Sequence, residues 1–485
     1  MEKIVVCIAL LFSLLSACNP QTRQVIEERS TTDSAYITLS LNHPISGLRD
    51  GKEDPIARLE NLTLFVFDGN QPSSRVLDIR QIAQVTSSSI SIKMQRCECY
   101  LLALANLNEK LEAQLRTYTR LEEFSEALNG DISWIANITN ENTTMRSVTM
   151  SSSGDLTHIT LDLFRETNEE LGGKVCQIEL EPMLARVIAY GTPTLTNDQI
   201  AFLEENVGFR TIYFSKSFYL QRHIKLEGES SPLSEKYAYS PGYEQIKSMS
   251  REAITNDVAQ THRVFPRSGL GYTPLAKDVA SSDLTRKILY VKETTCPSEY
   301  YLVSLVPHVV IRAKIVPKGL KDKLTANEGW IGYKGSYMTE HAYKALVQEI
   351  SKNIDAYNTP VADMHSSFLT VLKEGLKDNR HKAVMTQCDT SFTVNGIQFY
   401  HQSYNYYLLP IRHFDDGEAP QWNSFGRYGV VRNNQYTVLV KSIMGFGRNT
   451  FPSEWNLNPI MEKTPISFSL TIKALTNRLM EVDLE

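Results

Sequence analysis

Near the end of the chain the apolar positions fall on alternate residues. From Ile466 they run Ile466, Phe468, Leu470, Ile472 and Ala474, and after polar Thr476 and Arg478 they resume as Met480, Val482 and Leu484. A period of two marks a strand with one buried face, which needs a sheet to join, its own or another molecule's. The same alternation stands near the start, where Ala35, Ile37, Leu39 and Leu41 are interleaved with Tyr36, Thr38, Ser40 and Asn42. The stretch that follows, from His43 to Pro55, mixes proline, glycine and charge around Arg49 and Asp50. It reads as a loop open to proteases.

Beyond that loop, Ile56 to Asp68, Ser89 to Met94, Cys97 to Asn106, Ser147 to Met150, His158 to Leu163, Cys176 to Leu180 and Leu184 to Tyr190 read as strands. Leu111, Leu115, Leu121, Phe124 and Leu128 have helical spacing. Many strands with little helix predict a first β-sandwich over residues 50–193. In the second half, Asn197 to Glu205 is helix-like, Thr211 to Leu220 is strand-like, and residues 228–285 are polar and turn-rich. Strand patterns return at Arg286 to Lys292 and Tyr300 to Ile315. Alternation then breaks: Ala342, Leu346, Ile350 and Ile354 recur at helical spacing, predicting a two-helix insertion over residues 338–377. Strands resume at Thr393 to Tyr400, Tyr404 to Arg412 and Val430 to Met444. Residues 194–485 thus read as a second domain.

The first twenty residues change the picture. Lys3 precedes an apolar run from Ile4 to Leu15, then Leu15-Ser16-Ala17-Cys18. Residues 1–17 read as a secretory signal, too short to span a bilayer. Its ending resembles the lipobox of bacterial lipoproteins, which makes Cys18 the expected lipid carrier. Residues 19–34 are a polar tether. Of seven cysteines, Cys7 leaves with the signal and Cys18 is lipidated. Cys97, Cys99, Cys176, Cys296 and Cys388 remain, an odd number that argues against a complete disulfide framework. A net charge of -5 gives no global field toward nucleic acid.

Candidate chemistry is sparse. No phosphate-binding glycine loop, HExxH or GxSxG occurs, and Gly445-Phe446-Gly447 reads as a turn. His413 with Asp415 and Asp416 reads as a polar loop leaving a strand. Phe399, Tyr400, Tyr404, Tyr406 and Tyr407 are able to stack on a sugar or base, or to pack across strands. Catalytic, cofactor and metal residues are therefore expected to be none.

Several segments together resemble a family. Leu15 to Cys18, Leu62 to Asp68, Leu101 to Asn106 and Arg186 to Ala189 resemble the Bacteroides-type fimbrillins, or type V pilins. Tyr406 to His413, Arg427 to Tyr436 and Ile443 to Gly447 are similar to the C-terminal domain of Mfa-type major fimbrial subunits. The resemblance implies a mostly β chain of two transthyretin-like Greek-key β-sandwich domains, exported as an outer-membrane lipoprotein bearing palmitate on Cys18. It implies removal of residues 18–49 by an Arg-specific protease, with cleavage between Arg49 and Asp50 taking away the strand of Ile37, Leu39 and Leu41. Arg29 is the alternative, although cutting there leaves the strand behind. Donor-strand exchange then follows, a neighbour's Met480, Val482 and Leu484 filling the groove. The implied function is a non-enzymatic structural subunit of a fimbria (pilus), supporting adhesion and virulence. Its implied partners are copies of itself, anchor and tip subunits, the protease, the membrane through its lipid, and a host or bacterial surface receptor. An anchor or tip subunit, or a glycan-binding lipoprotein using the aromatics of residues 399–407, are the rival readings. Physical chemistry adds two expectations. Loss of the first strand, taken as an edge strand, exposes backbone groups and an apolar slot. About twenty extended residues from Ile466 reach roughly 66 Å.

Overall fold

The computed structural model describes residues 33–44, 55–138, 145–167, 174–224, 238–250, 263–264, 271–278, 287–296, 302–413, 428–451 and 464–475. The first half is built from Ser34–Asn42 (β1), Leu62–Phe67 (β2), Val76–Ile82 (β3), Ser89–Gln95 (β4), Cys99–Ala105 (β5), Met150–Ser152 (β6) and Cys176–Pro182 (β7). Their hydrogen-bonded order is β3-β2-β5-β6-β7-β1-β4. β7 serves two layers, pairing through its first residues with β1 (Leu39↔Cys176 to Asn42↔Glu179) and through Leu180 to Pro182 with β6. The layers close on one core, in which Ile37, Leu39 and Leu41 meet Leu62, Leu64, Leu101, Ala103 and Ile178.

β2 and β5 are covered on both faces. Phe65, Phe67, Leu102 and Leu104 turn away from that core onto the helices Glu109–Leu115 and Leu121–Ser125. The Phe124 ring meets Phe65 and Phe67 edge-on at 4.9 and 5.3 Å. A strand with no solvent face has no polar alternation, so both segments read as apolar runs.

The second half adds Leu184–Tyr190 (β8), Ile200–Ile212 (β9), His308–Pro317 (β10), Tyr404–Pro410 (β11), Asn434–Ile443 (β12) and Ile466–Ala474 (β13). β8 runs parallel to β12, and β13 antiparallel to β12 on its other side. β9, β10 and β11 form the facing sheet. Val187, Ala189, Phe209, Ile311, Tyr407, Tyr436 and Val438 fill the space between. The molecule is therefore mostly β, in several sheets.

One expectation falls here. The helix-like stretch Asn197 to Glu205 enters strand β9, whose register with β10 shifts between Phe202 and Glu204 and again between Glu204 and Gly208. Each irregularity puts extra residues in one strand and breaks the period of two, leaving a sequence that mimics helical spacing.

Between β10 and β11 the chain makes a small module. Trp330–Tyr333, Ser336–Thr339, Phe392–Val394 and Ile397–Tyr400 form a sheet, against which pack the helices Glu340–Lys352, Phe368–Lys377 and Asn379–Gln387. Thr339 caps the first helix, its hydroxyl accepting from the Ala342 N–H at 3.2 Å. The third helix buries only Met385, too little apolar stripe to be read in advance. A buried ion pair joins the two halves, Arg222 with Glu181 at 2.7 Å, and another, Arg432 with Glu293 at 3.2 Å, lies within the second half. The Lys292 amine donates to the Gly130 carbonyl at 2.7 Å and to that of Lys216. Burial pulls this lysine down to about 8.

Candidate functional site: the slot held by the first strand

β1 owes its form to its alternation. Ala35, Ile37, Leu39 and Leu41 are 1%, 0%, 0% and 4% exposed, while the residues between them lie half-buried on the opposite face. The strand is not an edge, which corrects the expectation. β4 pairs along it antiparallel from Ser34↔Gln95 to Ser40↔Ser89. β7 pairs with its second half on the other side, and beside its first half Tyr36 and Arg165 exchange N–H to carbonyl bonds, both 2.8 Å. The sequence pattern reported one buried face but carried no information about neighbours in the hydrogen-bonding direction. Ile37, Leu39 and Leu41 thus occupy a slot walled on both sides and floored by core.

Two thiols lie in that floor. Cys176 stands opposite Leu39 and Cys99 packs in the same core. Burial pushes Cys99 up to about 12, with Cys97 and Cys176 adding to it, and burial alone pushes Cys176 to about 11. Cys97, Cys99, Cys176, Cys296 and Cys388 are all free thiols.

After Pro44 the loop with Arg49 and Asp50 lies outside the described residues, as do Cys18 and Arg29. Arg58 lies in folded chain, its guanidinium on Glu60 at 2.8 Å and its carbonyl accepting from the Asn106 side chain at 2.6 Å.

At the other end, β13 pairs with β12 from Ile443↔Ile466 to Asn434↔Ala474. The Leu475 N–H continues the ladder to the Asn433 carbonyl at 2.9 Å. Phe468, Leu470 and Ile472 pack, half-buried, against the second core. Residues 466–474 therefore serve their own sheet, the first of the two owners that their alternation left open. Met480, Val482 and Leu484 lie outside the described residues.

The other candidate residues are structural. Phe399, Tyr400 and Tyr407 are buried, and Tyr400 stacks on Trp330 at 3.9 Å. Tyr404 and Tyr406 are half-buried, with the Arg312 guanidinium 4.2 Å from the Tyr404 ring. His413 is buried, its Nδ1 2.8 Å from the Tyr436 hydroxyl. The Tyr407 hydroxyl donates to the Gly445 carbonyl at 2.9 Å. A Cβ on Gly447 would lie 2.7 Å from the Tyr406 carbonyl oxygen, so glycine is needed there for close approach. Among the described residues, no group of three or more His, Cys, Asp or Glu is placed to hold a metal. No helix among them is long and apolar enough to cross a membrane.

Comparison with known proteins gives one match in sequence. Residues 398–478 match the family model described as "Major fimbrial subunit protein type IV, Fimbrillin, C-terminal". No curated protein sequence matches. Among solved structures the chain is similar to a fimbrilin (fimA) from Porphyromonas gingivalis W83, at 14% identity and TM-score 0.43, covering 91% of this chain and 98% of that one. It is also similar to the tip fimbrial protein Mfa3 from Porphyromonas gingivalis, at 12% identity and TM-score 0.32, covering 90% and 99%. A fimbrial assembly protein from Parabacteroides distasonis ATCC 8503 has 9% identity and TM-score 0.28, covering 60% and 87%. The matched segment takes in β11, the turn at Gly445 and Gly447, β12 and β13, and over it the chain is similar to the C-terminal region of the fimbrillin major fimbrial subunits.

Proposed function

We propose that the chain is the precursor of a structural subunit of a cell-surface fimbria, polymerising by strand exchange after proteolysis. In this reading residues 1–17 are the signal and residues 18–49 a leader lipidated at Cys18. Residues 50–193 and 194–485 are the two sandwich domains, with the helical module inserted in the second. An Arg-specific protease cuts between Arg49 and Asp50, the strand of Ile37, Leu39 and Leu41 leaves, and Met480, Val482 and Leu484 of a neighbouring copy fill the slot it vacates. The precursor sits at the outer membrane through its lipid and the mature form in the extracellular fimbrium. Its partners are other subunits, anchor and tip proteins and a surface receptor, and no catalytic role is assigned.

The observation that carries this reading is the slot: a short strand sealed between two other strands, its alternating apolar side chains in the core. Ile37, Leu39 and Leu41 contribute about 1.5–3 kcal/mol each, about 5–9 kcal/mol together. Cutting the loop alone therefore leaves β1 seated, and an incoming strand must displace it rung by rung. A head-to-tail contact of this kind does not close on itself and propagates as a filament.

Truncation after Leu475 tests the reading, because it leaves β13 and its last ladder bond intact. The truncated subunit should fold and be matured but form no filaments; filaments from it would sink the strand assignment. N-terminal sequencing of the mature protein should begin at Asp50.

A further inference from the structure

The outward side of β1 carries an uneven rim of charge. Tyr36 stands opposite Lys93 of β4, whose amine lies 5.6 Å from the Tyr36 ring centroid. On the other side Tyr36 faces Arg165. No other outward position of β1 lies between two cations: Ser34 is opposite Gln95, Thr38 opposite Ser91, Ser40 between Ser89 and Gln177, and Asn42 opposite Glu179. The cations nearby are matched, Arg96 by Glu166 at 3.0 Å and Lys174 by Asp162. Lys93 is exposed and has no carboxylate within ion-pair distance among the described residues; its contact there is the tyrosine ring.

The chain holds a segment with the complementary pattern. In Met480-Glu481-Val482-Asp483-Leu484 the apolar side chains fall on one face of an extended strand and the carboxylates on the other. Place the apolar set inward in the slot, with its outermost member at the position of Ala35. If the segment runs in the direction of β1, Glu481 falls where Tyr36 was. If it runs the opposite way, Asp483 does. Either direction delivers a carboxylate between Lys93 and Arg165.

We propose that Lys93, with Arg165 across the slot, sets the register of the C-terminal segment of a second copy by pairing with the carboxylate that arrives at the Tyr36 position. This rests on the strand-exchange reading. It also gives the exchange a direction. The resident strand offers the lysine a neutral ring and the incoming strand a charge, and opposite charges directly across a ladder favour pairing. A slip by one residue would turn the carboxylates into the core, and a slip by two toward Leu41 would leave one of them between Ser89 and Gln177, with no cation at either side.

The test is filament growth from matured subunits, followed by light scattering at low and high salt. Lys93→Glu, an exposed substitution that leaves the core untouched, should slow growth about fivefold at low salt and less at high salt, as for a partly exposed pair. Adding Glu481→Lys and Asp483→Lys to the same chain should restore growth, while those two substitutions alone should slow it. Wild-type growth by Lys93→Glu at low salt, or no recovery in the triple variant, overturns the inference. The truncation after Leu475 separates the two claims. If it abolishes growth while Lys93→Glu is silent, only the charge pairing falls; if it still grows, the strand reading falls with it.

Discussion

The floor of the β1 slot contains its own reporter. A chain restricted to residues 50–475 lacks both β1 and the segment that would replace it, so the slot should stand open in a monomer. In the intact chain Cys176, beside Leu39 on the neighbouring strand, is 5% exposed and its thiol is pushed up to about 11. At pH 8 a thiol at about 11 is roughly 0.1% thiolate, whereas an ordinary cysteine near 8.5 is about a quarter ionised, and the thiolate is the reacting form. Opening the slot should therefore raise the reaction rate of Cys176 with a maleimide or aromatic disulfide by about two hundredfold from ionisation alone. Relief of steric occlusion adds to that. Peptide mapping of the labelled protein gives the rate at each cysteine. Cys388, buried in the helical module, is the internal control and should stay protected. A synthetic peptide of residues 475–485 should restore protection of Cys176. Two results would refute the reasoning: Cys176 remaining as slow as in the precursor, or Cys388 accelerating in parallel, which would mean general unfolding.

Three further outcomes follow from the geometry. Arg222→Met should cost about 3–5 kcal/mol in urea unfolding by stranding the Glu181 carboxylate, whereas Arg222→Met with Glu181→Met should recover most of the loss. His308 is fully buried, its Nδ1 2.7 Å from the Val306 carbonyl, and burial holds its pKa at about 4, below the unfolded value near 6.5. The unfolded chain therefore binds the extra proton first, and stability present above pH 6.5 is lost as pH falls toward 4. This residue alone should account for about 2 kcal/mol between pH 7.5 and 5 in urea titrations, a component absent in His308→Gln. Gly447→Ala, which pushes a methyl toward the Tyr406 carbonyl, should lower stability by about 1–3 kcal/mol in a thermal melt.

Much of this was legible in the sequence because alternation survives wherever a strand has one wet face. β1, β12 and β13 are legible in Ile37 to Leu41, within Val430 to Met444 and in Ile466 to Ile472 for that reason. The signal fails where tertiary context overrides it. β9 carries irregularities that destroy its period, and the helix Asn379–Gln387 buries a single large side chain. Sheet order was invisible, since the side-chain pattern describes faces and says nothing of lateral neighbours. That is why β1 looked like an edge when β4 and β7 flank it. The slot chemistry was likewise hidden. Lys93 and Arg165 come to one position only through pairing across separate parts of the chain, and the cysteines gave no hint that Cys99 and Cys176 share a floor.

The bond from the Leu475 N–H to the Asn433 carbonyl fixes where any crossing must start. From there to Met480 the chain advances five residues, which span at most about 17 Å when extended. An arm that short admits no loose chain between subunits. In the proposed strand exchange, the slot of the next molecule has to lie almost against the Asn433 end of β12, so consecutive subunits would touch as rigid bodies. A fibre built this way would have its pitch dictated by surface shape and its stretch limited to peeling β13 off its own sheet.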